Sequence, residues 1–275
     1  QDLNLVVDYL NMHFSGVNPR KEMLGEAFVN FDAGNTCIQF TIGKINRIDT
    51  DSCEHWAKNI IQYQLHKCLP GGSGEGSEND PNDFLNVYVT ELRGGLLGQS
   101  SNIPGILGKS NADSDGITVS RNIIVPGENN KTLYNKGGIL VHEIGHWLGL
   151  AHVDGDIQGS GCEGDDGIED TYPQERKNTY VCSEALPYSC GTPDNVYNFM
   201  DYSMDCAKLM FTKQQAIVMN DVLQNDRIKL SAAYNRMDKT STLYELENQE
   251  DYSAPIEWVN VDCHEIINLL QFQQK

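Results

Sequence analysis

Apolar residues return at Leu3, Val6, Val7, Leu10 and Phe14, one face of a 3.6-residue period, so the chain opens on an amphipathic helix that needs a core. The period then shortens. Ile38, Phe40 and Ile42 alternate, which predicts a half-buried strand over 37–42, and Trp56, Ile60, Ile61 and Leu65 return to helical spacing over 53–65. Gly71 to Asp83, rich in Gly, Ser and acids, reads as a mobile surface loop. Apolar runs over 85–92 and 117–125 predict further strands, the second preceding a helix around 142–147. From Val153 to Asn195 there is little periodicity. Thr212-Lys213-Gln214-Gln215 is a capping-box signature that opens a helix through about Leu223, with Ala216, Ile217, Val222 and Leu223 inward. Beyond Arg236 the pattern fades.

The chemistry is concentrated in His142-Glu143-Ile144-Gly145-His146-Trp147-Leu148-Gly149-Leu150-Ala151-His152. On a helix, His142 and His146 project from one face and can bind one metal ion. Glu143 stands beside the first ligand without having to occupy a coordination position. Gly149 permits a sharp exit from the helix, through conformations costly for a residue with a Cβ, and lets His152 return as third ligand. Three protein ligands leave the fourth position of a zinc ion open to water, as in catalytic rather than structural sites.

Composition narrows the setting. The chain's 275 residues, 39% hydrophobic, suffice for one large domain or two joined subdomains. No apolar run is long enough for a membrane span. Eight cysteines without a CxxC pair favour disulfides and an oxidising, extracytoplasmic compartment, against the alternative of free thiols in a cytosolic enzyme. A formal charge of −19 disfavours nucleic acid and suits basic peptides or calcium. The start at Gln1, without a signal-peptide pattern, is read as a processed product or a cut piece.

Tyr197-Asn198-Phe199-Met200-Asp201-Tyr202, together with the zinc motif, resembles the metzincin metallopeptidases, and within them the pappalysins. The likeness is carried further by Gly94-Gly95-Leu96-Leu97-Gly98, by Asp170-Thr171-Tyr172-Pro173, and by Cys206 followed by Met210-Phe211-Thr212. It covers residues 3 to 228. It implies an α+β metzincin fold with an α/β-like N-terminal subdomain: a twisted, mostly parallel sheet with backing and active-site helices, then an irregular, disulfide-tied C-terminal subdomain. The corresponding division is 1–149, 150–235 and a C-terminal extension at 236–275. The resemblance also implies His142, His146 and His152 as zinc ligands, Glu143 as general base, Met200 under the metal, and Tyr202 as a phenol beside it. Four cysteines allow three pairings. The likeness selects Cys162–Cys190 and Cys182–Cys206. It further implies calcium in the acidic stretch 154–170, for which Asp165, Asp170 and Thr171 are the candidate ligands.

The expected function is a secreted zinc endopeptidase acting on proteins or peptides. The rim at Gly95, Leu96 and Leu97 would pair with an extended substrate, and Asp205 would favour Arg or Lys after the cleaved bond. The competing reading is a zinc-bearing binding or adhesion module that no longer cleaves, against which Glu143 and Tyr202 weigh. Family domains begin with an apolar strand before the helix found here at Leu3. None precedes it, so that strand is either absent from a cut chain or supplied from elsewhere. The pairing of Cys37, Cys53, Cys68 and Cys263, the extension's role and the oligomeric state stay open.

Overall fold

The computed structural model describes residues 3–48, 62–72, 76–92, 94–101, 115–126, 132–155, 161–179, 182, 185–227, 230 and 270–274. Helix α1 (Leu3–Phe14) buries Leu3, Val6, Val7, Leu10 and Phe14 as its period requires. Two short turns of helix follow, Pro19–Leu24 and α2 (Gly25–Phe28). The expected strand over 37–42 starts later, as β1 (Ile42–Arg47). The reason lies in Asn11 on α1. Its amide accepts the Phe40 N–H at 2.7 Å and donates to the Phe40 carbonyl at 2.9 Å, taking the place of a neighbouring strand. Ile38 and Phe40 are buried all the same. Of the helix expected over 53–65, residues 53–61 lie outside the described residues, and Gln62–Cys68 is a 3₁₀ helix.

The loop before β2 (Leu85–Thr90) is held by polar residues rather than being a free surface segment. Asn79 is fully buried, and its amide reaches the carbonyls of Pro70 at 2.8 Å and Gly72 at 2.5 Å. Strands β3 (Gly98–Ser100) and β4 (Ile117–Ser120) follow, then helix α3 (Gly138–Trp147), the ribbon β5 (Tyr188–Ser189) and β6 (Thr192–Pro193), helix α4 (Lys213–Asn225) and strand β7 (Leu270–Gln274).

The five-stranded sheet runs β1-β7-β2-β4-β3. Its first four strands are parallel and β3 is antiparallel at the edge. The chain's own C-terminal segment therefore fills a central position, in register with Ile45 on one side and Val87 on the other through Phe272. Within the C-terminal extension, whose role the sequence leaves open, Leu270–Gln274 thus pairs through its backbone on both edges.

One core runs from α1 and the sheet through α3 to α4, so residues on both sides of position 149 share it. Phe14 meets Phe40 and Phe211 at ring separations of 4.8 and 5.2 Å, and Phe211 meets Phe199 at 4.8 Å. This aromatic series links α1 to the segment ahead of Met200. The capping box at Thr212 and Gln215 forms, but Ile217 is 66% exposed rather than inward. Helical spacing puts Gln215, Ala216, Met219, Val222 and Leu223 on the buried face, and Ile217, about 100° round from Ala216, falls off it. Among the described residues no helix is long and apolar enough to cross a membrane.

Candidate metal centre and active site

Helix α3 carries His142, Glu143 and His146, all buried. It ends in a left-handed glycine turn. Gly149 has φ +94°, its N–H bonds the His146 carbonyl at 2.9 Å, and the Leu150 N–H returns to the Gly145 carbonyl at 3.0 Å. The turn also points the Leu150 carbonyl at His146 Nδ1, 2.7 Å away, and reverses the chain so that His152 faces the helix. His142 is oriented from further off, its Nδ1 lying 2.7 Å from the Phe199 carbonyl. Both Nδ1 atoms must donate, which leaves both Nε2 atoms as lone pairs.

Those lone pairs converge. His146 Nε2 lies 3.1 Å from His142 Nε2 and 3.0 Å from His152 Nε2. Acceptors at that separation repel unless a cation lies between them. Ligands at zinc–nitrogen distances of about 2.0–2.1 Å around a tetrahedral ion stand roughly 3.3 Å apart, so the donor set fits zinc. Among the described residues, these three form the one group of His, Cys, Asp or Glu side chains close enough to hold a metal.

The surroundings explain several glycines. A Cβ on Gly145 would lie 2.4 Å from Met200 Sδ, so the helix accepts the fully buried methionine directly beneath the ligands. A Cβ on Gly98 would lie 2.6 Å from Glu143 Oε1, so edge strand β3 can press against the carboxylate. Burial pushes the Glu143 carboxyl up to about 8, opposed by the Lys208 charge and the Ser100 amide. Tyr202 is 43% exposed, with its ring 4.8 Å from that of His152 and 5.8 Å from that of His142.

The other expected residues fall in distinct settings. Leu96 is exposed and Leu97 packs on the core, beside positive-φ Gly94 and Gly95. Asp205 is buried, and its Oδ2 accepts the N–H groups of Lys136 at 2.9 Å and Gly138 at 3.1 Å, so it caps the start of α3. Its Oδ1 is buried without a hydrogen-bond partner. Asp165 accepts the Gly167 N–H, Asp170 accepts the Gln214 N–H at the start of α4, and the Thr171 hydroxyl donates to Asp166 Oδ1. Asp166, which sequence reasoning did not single out, is buried with Oδ2 unpartnered, and burial pushes its carboxyl up to about 7. Nothing in the run Gly164-Asp165-Asp166-Gly167 distinguishes the buried acid from the exposed one. Two disulfides tie this half together, Cys162–Cys190 and Cys182–Cys206, with Cα separations of 5.3 and 6.0 Å. Cys37 and Cys68 are also disulfide-bonded.

Fold and site together place a three-histidine metal site and a buried carboxylate beside the edge strand of a mixed sheet. The profile of the peptidase M43 family, described as pregnancy-associated plasma protein-A, matches residues 76–224, and the chain belongs to that family. It is similar to an extracellular metalloprotease of Arthroderma otae, 29% identical over 189 residues, or 68% of this chain and 64% of the relative. Another, from Arthroderma benhamiae, is 32% identical over 65% of this chain and 61% of its own length. The chain thus spans less than two thirds of these relatives. The fold is shared with Tannerella forsythia mature mirolysin in complex with a cleaved peptide, at TM-score 0.63 and 24% identity over 86% of this chain and 92% of that one. Promirolysin gives TM-score 0.68 at 23% identity, over 86% and 80%.

Proposed function

We propose that the chain is a secreted zinc-dependent endopeptidase, with His142, His146 and His152 holding the metal. The observation that carries this reading is the convergence of three imidazole Nε2 atoms beside a buried Glu143 that packs against strand β3. When bound, zinc supplies Lewis acidity, polarising a carbonyl and making water acidic near neutral pH. Glu143 takes a proton from the attacking water and delivers it to the leaving amine as the C–N bond breaks. Tyr202, exposed beside the ligands, donates its phenol proton in a hydrogen bond to the developing oxyanion. Strand β3, the edge strand of the sheet among the described residues, would take an extended substrate as a further strand. Localisation follows the relatives named extracellular, together with the disulfides.

Specificity is assigned to Asp205, whose unpartnered buried Oδ1 is the atom a basic side chain after the scissile bond would reach. Profiling a random peptide library tests activity and preference together. Enrichment of Arg and Lys at P1′ is expected. Cleavage with a flat P1′ profile removes the role of Asp205, and no cleavage at all contradicts the peptidase reading.

Calcium is proposed in the acidic loop, with Asp166 joined to the expected Asp165, Asp170 and Thr171. Its support is the set of buried carboxylate oxygens without hydrogen-bond partners, Asp154 Oδ1, Asp166 Oδ2 and Asp170 Oδ1, in a loop where Gly155 and Asp165 backbones touch. Without a cation, the folded Asp166 holds its proton to about 7 while the unfolded chain releases it near 3.8. That contribution to stability is therefore lost as pH rises from about 4 to about 7. A bound cation cancels the loss, so the rise in Tm on adding calcium, with zinc buffered, is expected to be larger at pH 7.5 than at pH 5. Equal Tm with and without calcium at both pH values would remove the site.

A further inference from the structure

We propose that Lys208 is a positioning residue for the metal site: its buried ammonium braces the peptide carbonyls on either side of Met200 and, through the one it shares, fixes the ring of His142. The inference rests on the zinc reading above. Lys208 is 1% exposed, and Nζ donates to the carbonyls of Phe199, at 2.8 Å, and of Asp201. The Phe199 carbonyl is the same group that lies 2.7 Å from His142 Nδ1. A carbonyl has two lone pairs, and here one takes the ammonium while the other takes the imidazole N–H. The stem of Lys208 lies under the first residue of α3, where a Cβ on Gly138 would come within 2.8 Å of Cδ. One side chain thus joins the start of the ligand-bearing helix, the turn under the metal and the acceptor that sets the His142 tautomer.

Filling space does not account for a charge at this position. A buried ammonium is costly, and among the described residues no carboxylate stands within 4 Å of it in an ion pair. A methionine would fill a similar volume without that cost. The charge also lies near two buried carboxyls, Asp201 and Asp205, each raised by burial and lowered by Lys208. The two helix ligands also differ in need. His146 is oriented by Leu150 within its own glycine turn, four residues away, whereas the orienting carbonyl of His142 is 57 residues distant and has to be held from outside the helix.

The test compares the wild type with Lys208→Met and Lys208→Gln by zinc competition against a chromophoric chelator and by steady-state kinetics. Losing a hydrogen-bonded support of a metal ligand typically weakens metal binding or activity by about 10–100-fold. Lys208→Met is expected to lose zinc affinity in that range and to lower kcat with KM within about twofold, with Lys208→Gln, which keeps a donor, in between. A folded Lys208→Met that binds zinc like the wild type overturns the proposal. A wild type that binds no zinc overturns the metallopeptidase reading instead. Should Lys208→Met fail to fold, ¹⁵N-lysine NMR of the wild type decides: the Lys208 Nζ signal is expected to shift when zinc is removed, and an unmoved signal contradicts the shared-carbonyl brace.

Discussion

Glu143→Gln is expected to lower turnover by about 10²–10⁴-fold, the usual contribution of a positioned general acid–base, while leaving zinc content unchanged. Glutamine is nearly isosteric, so the close contact with Gly98 is kept and none of the three imidazoles is disturbed. What is lost is a carboxylate able to take and return a proton. Steady-state kinetics alongside metal analysis separates the outcomes. A variant with full zinc and undiminished turnover would mean that the proton is carried by some other group.

The largest stability effect is expected at Arg227. Its guanidinium pairs with Asp115, lies 3.5 Å over the Trp147 ring and donates from Nε to the Trp147 carbonyl at 3.2 Å. Asp115 in turn accepts Trp147 Nε1 at 2.9 Å and Ser101 Oγ at 2.5 Å. The pair is buried, so removing one partner leaves an uncompensated charge inside the protein. Arg227→Met should therefore destabilise the fold by about 3–5 kcal/mol. In a chain of this size that lowers Tm by roughly 10 °C. Trp147 closes the helix that carries the metal ligands, so zinc should be lost earlier in the thermal transition as well. The double variant with Asp115→Leu, which removes both charges, should recover part of the loss. If the two single substitutions prove additive in the double, the account of the pair is wrong.

The readable part of the site was the part whose geometry is local. Two histidines four apart need only a helix to share a face, and Gly149 announces the turn that returns His152. The α1 stripe and the capping box at Thr212 follow from 3.6-residue spacing and from side chains bonding their own neighbours. Long-range partners were not readable. Leu270-Gln271-Phe272-Gln273-Gln274 alternates over only four residues and lacks the continuous apolar run of a central parallel strand, and its neighbours in the sheet lie far away in sequence. Asn11 serving as a surrogate strand for Phe40, and Asp205 capping a helix that begins 67 residues earlier, depend on tertiary approach in the same way. Gly98 and Gly145 stood within recognised phrases, but the atoms they make room for, Glu143 Oε1 and Met200 Sδ, emerge only once the chain is folded. Lys208 gave no signal, since a lone lysine near the end of a polar segment is ordinarily a solvated one.

The central claim is that His142, His146 and His152 hold one catalytic zinc, and X-ray absorption at the zinc edge of the purified chain tests it most directly. The account predicts three imidazole nitrogens and one further oxygen at about 2.0–2.1 Å, with no sulfur near 2.3 Å, at one zinc per chain. A shell containing sulfur, fewer than three imidazoles, or a closed set of four protein ligands would contradict it.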